Sequence, residues 1–97
     1  MLNSKQRAQL RAMSNGIETI LHIGKDGIGH NLIKQASDAL TKRELIKVRV
    51  LETAMYTARE AAEELSAATG SDTVQVIGNK FVLYRKNPEL KEKSIII

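Results

Sequence analysis

The sequence predicts a compact α/β domain of two layers, in the order α-β-α-β-α-β-β, around a mixed four-stranded sheet. Three observations carry the prediction. Runs with strand character alternate with runs of helical period, which argues for parallel crossovers in a layered domain. The last two strand-like runs flank Gly78-Asn79, a hairpin turn by residue type. The chain has 97 residues, 42% of them apolar, enough for one modest core and not for two.

The first helix is LNSKQRAQLRAMSNG. Asn3 or Ser4 can cap it, and Gln6 stands three residues after Asn3, in capping-box position. Leu10 and Met13 share a face, which Leu2, Ala8 and Ala12 widen only a little. Lys5, Arg7 and Arg11 supply polar surface, and Asn15-Gly16 is a natural stop. Residues 17–23, IETILHI, read as a strand because they are rich in β-branched residues and bounded by glycines. From about Gly29 to Leu40 the residues Leu32, Ile33, Ala36, Ala39 and Leu40 recur at helical spacing. LIKVRVL, residues 45–51, alternates with Ile46, Val48 and Val50 on one face and Lys47 and Arg49 on the other, a strand with one wet face. The helix over 57–69 opens on a Thr57/Glu60 capping box, carries Ala58, Ala61, Ala62 and Leu65 as a stripe, and stops at Gly70. Strands over 73–77 and 80–85 follow. The domain is expected over 1–86 and a charged tail over 87–97, opening at Asn87-Pro88 and ending in Ile95, Ile96 and Ile97.

Fifteen Lys/Arg against eleven Asp/Glu give a net charge of +4. The acids gather in residues 52–72, where only Arg59 is basic. The flanking segments are basic, which suggests a polarised surface with a basic side, open to a polyanionic partner or simply a solvated surface on a basic protein. There is no cysteine, so a disulfide scaffold and a thiolate metal site are excluded and a reducing, cytoplasmic setting fits. No apolar run approaches the length of a membrane span, and the N-terminus has no signal-peptide core. An enzyme is not expected. His22 and His30 are the only histidines, and nothing at a recognisable spacing completes a metal site or a catalytic triad. Glu60, Glu63 and Glu64 read as a solvated helix surface. No cofactor, metal or small-molecule substrate is expected.

The segment LHIGKDGIGHNLIK carries the functional reading. Gly24-Lys25-Asp26-Gly27 is a GxxG turn between a strand and a helix. It lacks the Ser/Thr of a phosphate-binding P-loop and the GxGxxG spacing of a dinucleotide site. Glycine permits a tight turn and close approach of backbone to a ligand. The helix behind it points free N–H groups the same way. Lys25 adds a mobile charge. A GxxG loop that clamps a nucleic-acid backbone is one outcome, and a bare strand-to-helix turn is the other. The Asp26 carboxylate counts against an anion at this turn. Lys34, Lys42, Arg43, Lys47 and Arg49 are candidates to join Lys25 in one basic surface or are simply a solvated face. His30 is either a phosphate contact beside the turn or, more in keeping with its place near a helix start, a plain solvent-exposed residue. Phe81 and Tyr84 fall on opposite faces of one strand, so they cannot form a joint base-stacking platform. Phe81 reads as core. The rival reading is a protein-interaction module, with a basic face for an acidic partner and an apolar end, Ile95 to Ile97, that docks on another chain.

Four separated runs, LNSKQRAQLR, ILHIGKDGI, LIKVRVL and QVIGNKFVLYR, resemble the CRM-domain family, and in particular its small single-domain bacterial YhbY-like members. The resemblance spans Leu2 to Lys86. It implies a fold similar to the C-terminal domain of translation initiation factor three. It also implies an RNA-binding module whose GxxG loop, here Gly24, Lys25, Asp26 and Gly27, contacts RNA. The bacterial stand-alone members act with precursors of the large ribosomal subunit, so the implied partner is large-subunit ribosomal RNA or its precursor particle. One residue departs from the family pattern. Gly29 stands where Ser or Thr is common, a workable helix cap weaker by roughly a few tenths of a kcal/mol.

Overall fold

A computed structural model of the chain describes residues 2–93 and 95. Helix α1 (Ser4–Ser14) is followed by β1 (Thr19–Ile23), α2 (His30–Arg43), β2 (Leu45–Val50), α3 (Ala58–Thr69), β3 (Asp72–Ile77) and β4 (Lys80–Tyr84). A 3-10 segment, Pro88–Lys93, comes last. The strands form one mixed four-stranded sheet in the order β1-β2-β4-β3. β1 and β2 are parallel, joined by the α2 crossover. β4 runs antiparallel to both β2 and β3. The α/β class, the element order and the mixed sheet agree with the sequence expectation.

The caps form as their residue types dictate. Asn3 Oδ1 accepts from the Gln6 N–H at 2.8 Å, and Gln6 Oε1 accepts from the Asn3 N–H at 3.1 Å. Thr57 and Glu60 exchange the same pair of bonds at 3.1 and 2.9 Å. The Thr57 N–H at the carboxylate, then the Thr57 side chain, hold the Glu60 pKa below its ordinary value. β1 begins two residues later than the glycine boundary suggests. The N–H groups of Gly16 and Ile17 donate back to the carbonyls of Met13 and Ser14 at 3.3 Å each, so the turn after α1 consumes them.

The expected two layers become three where α1 lies. α2 and α3 cover one face of the sheet, over Ile23, Ile46, Val48, Val50, Phe81 and Leu83. α1 covers part of the other face through fully buried Leu10, against Leu45, Val74, Val82 and Tyr84. Central strand β4 is therefore buried on both sides, which its run FVLY supports. Leu10 was expected on a thin stripe. Small Ser14 extends that stripe, buried at 0% exposure and accepting from Gln75 Nε2 of β3 at 3.1 Å.

Two arginines serve as struts. Arg7 donates to the Thr73 carbonyl and ties α1 to β3. Arg85 donates to Ser37 Oγ, the Ser37 and Thr69 carbonyls and Thr41 Oγ1 at 2.7 to 3.1 Å, tying β4's end to α2 and α3. Glu44 has a role that no local sequence pattern announces. It caps α2 at φ 64, the one non-glycine residue at positive φ among the described residues, and its side chain is fully buried. Its carboxylate accepts from the N–H groups of Asn87 and Ile95, each at 2.6 Å. The segment after Lys86 is thereby bound to the body of the domain. Ile95 is half-buried against the α1-side cluster, so it docks on its own chain. Ile96 and Ile97 lie outside the described residues.

Candidate nucleic-acid interface

The GxxG turn sits at the end of edge strand β1 and just before α2. It closes through a hydrogen bond from the Gly27 N–H to the Gly24 carbonyl at 3.0 Å. The two glycines have different reasons to be glycine. Gly27 has φ +68, and a Cβ there would come within 3.2 Å of Tyr56 Cε2. Gly24 has room: an added Cβ would meet Thr53 Oγ1 at 3.6 Å and Leu51 Cδ1 at 3.7 Å, ordinary contacts. Gly29 is the helix cap, as its position suggests, and it supplies no side-chain bond to the first turn of α2. The first-turn N–H groups of α2 thus stand beside the GxxG turn without a side-chain cap.

Tyr56 braces the turn from behind. Its hydroxyl stands 3.9 Å from where a Cβ on Gly27 would lie, with the Glu64 carboxylate of α3 nearby. Glu64, then burial and the neighbouring Glu60 charge, raise the Tyr56 pKa above its ordinary value, so the ring stays neutral in this position. Glu64 is exposed on α3, as the sequence predicts, and Tyr56 carries no sequence signal of its place behind the turn. Only a long-range contact pairs either of them with the turn, and no local spacing announces it.

In front of the turn lies an open groove of about 430 Å³, lined by Gly24, Asp26, Gly27, His30 and Gln35, with His22 from β1. The candidate basic residues divide in two. Lys25 and His30 are exposed at the turn. Lys47 is half-buried and Arg49 exposed, both on the α1 face of β2. Arg49 lies at the same end of the sheet as the turn, because Ile23 is in register with Val50. Lys34 is one turn into α2 and pairs with Asp38 at 3.0 Å, so its charge is locally offset. Lys42 and Arg43 occupy the other end of α2, about 20 Å along the helix axis from His30. Their closeness to Lys47 in sequence does not place them with the turn, since α2 runs away from it. Lys80 is a further cation at this end of the sheet, beyond the candidates the sequence offers. It is exposed and stands in register with Arg49.

All three aromatic residues are occupied. Phe81 and Tyr84 are buried, and Tyr56 packs on Gly27. Among the described residues no group of His, Asp and Glu could hold a metal ion, and no helix is long and apolar enough to cross a membrane.

Comparison with known proteins bears directly on this arrangement. The CRS1/YhbY (CRM) domain family model matches residues 2–85. The chain belongs to this family. As a CRM domain it is 41% identical over 92 residues to the "Probable RNA-binding protein YqeI" of Bacillus subtilis, covering 95% of this chain and 96% of the relative. It is 29% identical over 90 residues to the "RNA-binding protein" of Haemophilus influenzae, covering 93% and 91%. Among solved structures, the hypothetical protein SAV1595 from Staphylococcus aureus superposes with a TM-score of 0.76 at 49% identity, over 90% of this chain and 91% of that one. The CRM domain fold and the similarity to proteins named as RNA-binding thus agree with the resemblance read from the four sequence runs.

Proposed function

We propose that this protein binds ribosomal RNA in the cytoplasm during assembly of the large subunit, and that it catalyses no reaction. The GxxG turn meets the RNA backbone. The observation that carries this reading is a convergence at one end of the sheet. The Gly24–Gly27 turn, the uncapped start of α2, Lys25 and Arg49 all lie there. Glycine at Gly27 lets the backbone approach a phosphate, the N–H groups of α2 face it, and Lys25 supplies a point charge. His30, Lys47 and Arg49 fix orientation, while Lys34, Lys42 and Arg43 contribute only longer-range attraction. With no aromatic free to stack on bases, phosphate contact and RNA shape carry the affinity. The names of the relatives support RNA as the ligand class.

The test is ultraviolet crosslinking in cells, followed by sequencing of the attached RNA and mapping of the attached peptide. Enrichment of large-subunit ribosomal RNA, with adducts in residues 22–30, is the expected result. Crosslinks spread over unrelated RNAs, or adducts confined to residues around Lys42, would contradict it.

A further inference from the structure

We propose that the open half of the sheet is a second phosphate-binding surface. In it Arg49 and Lys80, with His22 beside them, take the phosphodiester backbone of the same RNA that meets the turn. This rests on the RNA-binding reading above and extends it from Arg49, already named there, to Lys80 and His22.

The register places the three side chains in one row across three strands. His22 pairs with Arg49, and Arg49 pairs with Lys80. Side chains directly opposite on antiparallel strands have Cβ atoms about 5 Å apart, and like charges there are destabilising. Arg49 and Lys80 form such a pair, and neither side chain makes an ion pair or hydrogen bond with another described residue. What sets this pair apart is its placement directly opposite in the ladder, for other cations such as Lys25 and Arg59 are also without a partner among the described residues, and three are engaged. Lys34 has Asp38, and Arg7 and Arg85 have carbonyls. A like-charge pair kept without a counter-ion, on a sheet surface, fits an anion supplied from outside.

The surface is accessible because α1 stops short. It buries Leu45, Val74, Val82 and Tyr84 and leaves Arg49, Lys80 and Ile77 exposed, Ile77 at 60%. Behind the row is a hollow of about 200 Å³, lined in part by Asn15, Lys47, Gln75 and Lys80. His22 also lines the groove at the turn, so the row and the groove are continuous. The occupant follows from the chemistry. No aromatic ring is available for bases, and a guanidinium with an ammonium alongside suits phosphate oxygens.

The experiment is fluorescence anisotropy of a fluorescein-labelled RNA hairpin across a salt series, with a thermal melt of each protein. Arg49→Ala and Lys80→Ala should each lower the salt slope by about 0.7 to 0.9, the value for one phosphate contact. Each should leave the melting midpoint unchanged or raised, because a repulsion is removed. Lys80→Glu puts a carboxylate opposite Arg49. It should raise the midpoint furthest and bind most weakly. Unchanged slopes in these variants, while Lys25→Ala still lowers its own, would overturn this inference and leave the turn as the contact. A lowered midpoint in Lys80→Glu would overturn it as well, since the pair would then be no repulsion in the fold. No salt-dependent binding by the wild type would overturn both this inference and the reading beneath it.

Discussion

Glu44→Ala is expected to lower the thermal midpoint by about 12–24 °C. The buried carboxylate accepts two short backbone hydrogen bonds, from Asn87 and Ile95. Hydrogen bonds to a charged group contribute roughly 1.5–3 kcal/mol each. Their loss, set against the entropy that the freed segment regains, leaves a deficit of about 3 kcal/mol, and each kcal/mol moves the midpoint of a domain this size by about 4–8 °C. Glu44 also holds φ 64, a conformation that costs a non-glycine residue of order 1–3 kcal/mol. The surroundings over-determine it through these two bonds together with the backbone bonds from the Glu44 N–H to the Leu40 carbonyl and from the Arg85 N–H to the Glu44 carbonyl, each at 2.8 Å. Glu44→Gln keeps an acceptor oxygen but not the charge, and should lose less. Circular dichroism melts of the three proteins decide it. A midpoint for Glu44→Ala within a few degrees of the wild type would mean that the carboxylate does not anchor the segment.

Gly27→Val should weaken RNA binding about five- to thirtyfold, whereas Gly24→Ala should leave it near the wild-type value. Valine at φ +68 meets a backbone penalty of roughly 1–2 kcal/mol, and its Cβ crowds the Tyr56 ring at 3.2 Å. The turn then relaxes. Restoring the binding-competent shape costs the same energy again, which lowers apparent affinity by that factor. Alanine at Gly24 meets only ordinary contacts. Titration of both variants against one RNA separates the two glycines. Equal losses would show that backbone conformation at Gly27, with Tyr56 behind it, is not what shapes the site.

What the sequence made legible was whatever rests on local periodicity. α2, β2 and α3 lie close to where apolar spacing puts them, and both capping boxes form between residues three apart. β1 starts late because Ile17, β-branched as it is, is used by the turn after α1. What stayed hidden depends on register or on long-range packing. Lys80 faces Arg49 only because β4 pairs with β2 in one register, and a shift of one residue would send it to the other face. Lys42 and Arg43 look like neighbours of the turn in a linear reading, but α2 runs away from it and carries them to its far end. Glu44, between a helix and a strand, has the sequence appearance of a solvated acid. Nothing near it in the chain announces that Asn87 and Ile95 will bind its carboxylate.

The central claim is that the GxxG turn holds an RNA phosphate with Lys25. Filter retention of structured large-subunit ribosomal RNA across a salt series, comparing the wild type with Lys25→Ala, tests it most directly. The account predicts salt-dependent binding by the wild type. It predicts that the variant loses affinity to a similar extent on several RNA sequences, with a salt slope lower by about one unit. A wild type and variant with the same slope would contradict a phosphate contact at Lys25.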